Sequence, residues 1–94
     1  MIPHNEDQAA LLIERGEAAK RLLEDPTFCS VVDDLTNYNL SALCASQPGD
    51  AGREAREYHH LLQYALTEIC RELQMRQSAG EQMQEALDNH EDTY

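Results

Sequence analysis

The dipeptide Asp25-Pro26 constrains the fold of this chain more than any other feature. Aspartate is a preferred helix N-cap, and proline at the first helical position gives up only an amide that has no intrahelical partner. A helix is therefore predicted to begin there. A second break, Ser46-Gln47-Pro48-Gly49-Asp50, ends that helix and places Asp50 to cap the next one. The two breaks divide the 94 residues into three helical segments, predicted at 6–24, 26–45 and 50–79.

The first segment opens with Asn5 as its cap and with Glu6 and Asp7 in the first turn, where negative charge complements the helix dipole. Ala9, Leu12, Ile13, Ala19, Leu22 and Leu23 then recur at helical spacing, and Glu17 and Arg21 form an i,i+4 pair. Gly16 interrupts this run, which costs about 1 kcal/mol relative to alanine unless it permits close approach of another helix. In the second segment Phe28, Val31, Val32, Leu35, Tyr38 and Ala42 form one apolar stripe, while Asp33, Asp34 and Asn37 face elsewhere.

The third segment steps through Ala55, Tyr58, Leu62, Ala65 and Ile69 at intervals of three and four, close to a coiled-coil seam, widened by Leu61, Leu66 and Leu73. Leu62 and Ile69 are accordingly expected in the core. Glu72 and Arg76 form a further i,i+4 pair, and Ser78-Ala79-Gly80 reads as the C-terminal cap. Beyond it, residues 81–94 carry Glu81, Glu85, Asp88, Glu91 and Asp92 without a Lys or Arg, and are expected as an acidic tail, helical for a turn or two at Met83 and Leu87 and then loose.

The short connection at 46–50 sets the second and third helices antiparallel, with residues 6–24 packed across or beside them. The predicted fold class is all-α, a helical hairpin or small three-helix bundle forming one domain over residues 1–80. A chain of this length has room for one small domain with a modest core. Leu40, Leu43, Leu61 and Leu66 extend the apolar surface beyond what one hairpin covers, so they are the expected interaction face, and a two-fold homodimer is the simplest closed solution.

Charge narrows the partners. Eighteen acidic residues against seven basic ones give a formal charge of −11, which repels a phosphate backbone and forfeits counterion release, so nucleic acid is not an expected partner. Tyr38, Tyr58 and Tyr64 lack the basic groove that base stacking requires. The longest early apolar run, Ala9 to Ile13, is too short for a signal sequence or a membrane span. A cytoplasmic setting without membrane partners is expected.

No constellation for chemistry is complete. Glu57-x-x-His60 has the half-motif spacing of di-iron carboxylate bundles, but the matching half is absent, since Glu68 is followed three positions later by Arg71. Cys70 and His59 lie about three turns apart on one predicted helix and cannot meet as nucleophile and base. His4 and His90 lie near the ends, outside any pattern. No catalytic, cofactor or metal residue is assigned, and an enzyme is not expected. Cys29, Cys44 and Cys70 cannot all pair within one chain and fit no zinc spacing. They read as small buried hydrophobes, with an intermolecular disulfide as the sharper alternative.

The stretch Leu22-Leu23-Glu24-Asp25-Pro26-Thr27-Phe28, the apolar helix to Leu43, the turn Pro48-Gly49-Asp50-Ala51-Gly52-Arg53-Glu54 and the helix from Tyr58 to Leu73 resemble short helical-hairpin proteins encoded among tailed-bacteriophage virion-assembly genes. The likeness covers roughly residues 20–80. It implies a non-enzymatic structural or accessory protein of a phage particle, in contact with itself and with capsid, portal or neck proteins, found in the host cytoplasm during assembly and in the virion. The alternative expectation is a small acidic phage-encoded inhibitor or regulator that occupies a basic surface of a host protein.

Overall fold

The computed structural model describes the backbone of residues 3–92 and the side chains of residues 6–89. Three α-helices and one short 3₁₀ turn account for nearly all of it: α1 (Pro3–Glu24), α2 (Pro26–Ala45), η1 (Gly49–Gly52) and α3 (Arg53–Asp92). There is no strand among the described residues, and the all-α class stands.

The α1/α2 boundary follows the Asp25-Pro26 logic. The Asp25 carboxylate accepts a 2.8 Å hydrogen bond from the Phe28 amide, and Pro26 is the first residue of α2. At the far end Ser46 closes the helix, its hydroxyl donating to the Leu43 carbonyl oxygen at 2.7 Å. The turn that follows is built on glycine and arginine. Gly49 has φ +73°, in the left-handed region where a Cβ is unfavourable. Arg56 reaches back from the start of α3 and donates to the carbonyl oxygens of Gln47 and Gly49, the latter at 2.7 Å. Gly52 is buried beneath this clasp, and a Cβ there would collide with the Gln47 carbonyl oxygen.

Three expected boundaries move. α1 begins at Pro3, so the backbone of Asn5 lies within the helix rather than at its cap. Asp50 sits inside η1 and pairs with Arg53 at 3.1 Å, while α3 starts three residues later than predicted. The cap expected at Ser78-Ala79-Gly80 does not form: α3 continues without a break to Asp92, and the segment expected as a tail is helical that far. Thr93 and Tyr94, where the tail was expected to loosen, lie outside the described residues, as do the side chains of His4 and His90.

The described residues fall into two compact units, α1 with the part of α3 from Arg71 onward, and residues 25–70. In the first unit the α1 contact line is Ala9, Gly16 and Ala19, all buried, with Ile13 and Leu23 half-buried. On α3, Leu73, Gln77 and Met83 are half-buried and Gly80 is buried. A Cβ on Gly16 would stand 2.7 Å from the Arg76 carbonyl oxygen and 2.9 Å from the Gly80 Cα, and one on Gly80 would stand 2.9 Å from the Leu12 carbonyl oxygen. The two helices thus touch backbone to backbone, which explains both glycines. Gly80 does not end a helix; it receives one. The predicted Glu72–Arg76 pair is present nearby at 3.2 Å, exposed and so of small energetic weight.

Candidate functional site

Residues 25–70 form a two-helix hairpin whose inner line is polar. Asn39 of α2 is 3% exposed and His59 of α3 is 9% exposed, although neither is a typical core residue. Burial of such groups is tolerated only when their hydrogen bonds are met, and here they are. The Asn39 amide nitrogen donates to Gln63 Oε1 at 3.2 Å, which leaves Asn39 Oδ1 to accept from His59 Nδ1 at 3.1 Å. Gln63 in turn donates through Nε2 to the Thr36 hydroxyl at 3.3 Å. This orientation of both amides places the proton of a neutral His59 on Nδ1. The Tyr38 and Tyr58 rings pack edge-on against the imidazole, with centroids 5.4 and 5.0 Å away. A chain of four side chains, Thr36–Gln63–Asn39–His59, thereby ties α2 to α3.

The position of this network overturns the predicted seam of α3 and part of the predicted stripe of α2, of which Phe28, Val32 and Ala42 are half-buried as expected while Val31, Leu35 and Tyr38 are exposed. Along α3 the residues that turn inward are Arg56, His59, Gln63, Leu66 and Cys70, spaced three and four apart like a coiled-coil seam but largely polar. Along α2 they are Phe28, Val32, Thr36, Asn39, Ala42 and Leu43. The apolar stripe expected to fill the core is displaced from that line: Tyr58, Leu62 and Ile69 are 60%, 40% and 53% exposed, and Tyr38 is 62% exposed. Val31 and Leu35 are exposed as well. Leu62 and Ile69 are therefore surface positions of this chain.

Beside the polar seam these displaced residues line an open groove of about 400 Å³, with Leu35, Tyr38 and Asn39 from α2 and Tyr58, Leu62, Ala65, Leu66 and Ile69 from α3. Its lining holds no Asp, Glu, Lys, Arg, Ser or Cys, so no acid, base or nucleophile faces it except through the tyrosine hydroxyls. Depressions in the other unit differ in kind, since Arg15, Glu72 and Arg76 line one and Glu17, Lys20 and Glu81 another. The groove is thus an apolar face, and the chemistry it suits is contact with another apolar surface.

Of the leucines expected to form the interaction face, Leu66 lines this groove, Leu61 is exposed on the adjoining stripe of α3, Leu40 is exposed on α2, and Leu43 is half-buried. Tyr38, Tyr58 and Leu35 are the additional residues that the sequence pattern assigned to the interior. Of the cysteines, Cys29 and Cys44 are exposed, which corrects their reading as buried hydrophobes, and Cys70 is half-buried. Among the described residues no group of three or more His, Cys, Asp and Glu is placed to hold a metal ion, and Glu57 with His60 remains an incomplete pair. No described helix is long and apolar enough to cross a membrane. Comparison with protein-family models, with curated proteins and with solved structures yields no match for this chain.

Proposed function

We propose that this chain is a non-enzymatic interaction protein that works through its α2–α3 face. One observation carries the reading: a hairpin that satisfies a polar seam internally leaves its apolar side chains, Leu35, Tyr38, Tyr58, Leu62 and Ile69, facing outward. A surface of contiguous apolar side chains is costly to keep in water unless something covers it. The likeness of residues 20–80 to hairpin proteins of phage virion-assembly genes supplies the setting, a phage particle or its assembly intermediates, with capsid, portal or neck proteins as neighbours.

The test is location. Mass spectrometry of purified particles should find the chain at a fixed stoichiometry to the capsid protein, and a Leu62→Lys variant, changed at an exposed position, should be depleted from them. Recovery of the chain solely from the lysate, bound to a basic host protein, would overturn the particle setting in favour of an acidic inhibitor.

A further inference from the structure

We propose that Cys29 and Cys70 form a reversible disulfide within one chain, a redox-sensitive staple that locks the α2–α3 hairpin at the end away from its turn.

The register of the two helices sets these cysteines opposite one another. Hydrogen bonds of the polar seam place Asn39 opposite His59 and Thr36 opposite Gln63. Continuing the same register, Leu43 falls opposite Arg56 toward the turn and Val32 opposite Leu66 away from it, and all eight residues are buried or half-buried. Along these layers α2 steps by four, three and four while α3 steps by three, four and three. The next step, three back on α2 and four on along α3, lands on Cys29 and Cys70. Cys29 thus lies one heptad before Thr36 and Cys70 one heptad after Gln63, a pair whose side chains meet at 3.3 Å.

Helix packing brings such positions within reach of a bond. Packed axes lie about 8–10 Å apart with Cα atoms about 2.3 Å off each axis, so residues facing at one height have Cα atoms about 5 Å apart at the wider spacing. A disulfide spans Cα separations of about 4.4–6.8 Å. In the same register Cys44 falls opposite Ala55 and meets no thiol.

Exposure sets the order of events. Cys70 is half-buried on the inward line of α3, whereas Cys29, next to half-buried Phe28, is exposed at the rim of the seam. An oxidant arriving from water reaches Cys29 first. With a low-molecular-weight disulfide such as glutathione disulfide, the Cys29 sulfur attacks one sulfur of the oxidant, forms a mixed disulfide and releases one glutathione thiol. The Cys70 sulfur then attacks the Cys29 sulfur, closes the intrachain bond and releases the second glutathione. Two protein thiols lose two hydrogens and two electrons, which end on the two glutathione thiols. The bond ties residues 29–70 into a loop, which restricts the unfolded chain and so favours the folded hairpin.

The experiment equilibrates the full chain carrying Cys44→Ser, in dilute solution, with glutathione and glutathione disulfide at graded ratios. Oxidation should remove both thiols and leave the chain monomeric on a non-reducing gel. Tryptic mapping should join the peptide of residues 22–53 to that of residues 57–71. The linked form should unfold at a urea midpoint higher by about 1 M or more, and a thiol reductant should reverse the shift. Adding Cys70→Ser should leave Cys29 with a glutathione adduct and an unshifted midpoint. In the chain with all three cysteines, fragmentation of the joined peptides should place the bond on Cys29 rather than Cys44. Glutathione adducts or chain-to-chain disulfides without the intrachain link overturn the proposal, as does a link that leaves the midpoint unchanged or lowers it.

Discussion

Asn39 is the residue on which the hairpin turns. Its side chain uses one donor and one acceptor to join His59 and Gln63, so its truncation leaves two partners short of a hydrogen bond near the interior. Asn39→Ala is expected to destabilise the protein by about 1–3 kcal/mol, the cost of leaving buried polar groups unmet, as measured by urea unfolding followed by circular dichroism. Asn39→Leu should do no better, because it still strands His59 and Gln63. Replacing Asn39, His59 and Gln63 together by leucine, with Thr36→Val, should recover stability, since all four members of the network are then apolar and none is left to satisfy. A neutral Asn39→Ala would mean that the network carries no weight. These residues were not legible as core because a hydropathy reading places Asn, His and Gln outside, and only partner side chains on the facing helix alter that. A faint signal existed: Arg56, His59, Gln63, Leu66, Cys70, Leu73, Gln77 and Gly80 step by three and four without a break, beside a more apolar line that drew the eye.

At the scale of elements, punctuation was legible, and with it the full extent of α2 at Pro26–Ala45, whereas the length of α3 was not. Asp25-Pro26 starts α2 by the expected hydrogen bond, and Pro48-Gly49 makes the expected turn, because cap and turn chemistry is local and needs no knowledge of neighbours. Gly80 was read as a stop because glycine commonly ends helices, yet here it is kept for the close approach of α1, which is a property of the packed pair. Gly16 carries the same information from the other side. Gly16→Ala is the sharp test, since alanine is favoured in a helix by about 1 kcal/mol, whereas its Cβ would press on backbone atoms 2.7 and 2.9 Å away that cannot swing aside. The contact should win: a net loss of about 1–3 kcal/mol is expected, the usual scale for overpacking, read as a lower urea midpoint. A raised midpoint would show that the helices do not approach so closely.

For the molecule as a whole, charge and apolar surface divide the work. Arg53 pairs with Asp50, Arg76 with Glu72, and Arg56 with the carbonyl oxygens of the turn. The seven basic residues are scattered among eighteen carboxylates, so no cluster of them offers the counterion release that nucleic-acid binding needs. Gel-shift titration at physiological salt should show no complex with duplex DNA or RNA, and a salt-sensitive shift at micromolar protein would contradict this. The central claim is that the outward apolar face of α2 and α3 is covered in the working state, and side-chain footprinting by hydroxyl radicals tests it most directly. As protein concentration rises, or as particles assemble, Tyr38, Tyr58 and Leu62 should lose reactivity together, while Leu11 and Met75, exposed in the other unit, stay reactive. Unchanged reactivity of all three face residues in every state, or protection confined to Leu11 and Met75, would contradict the account.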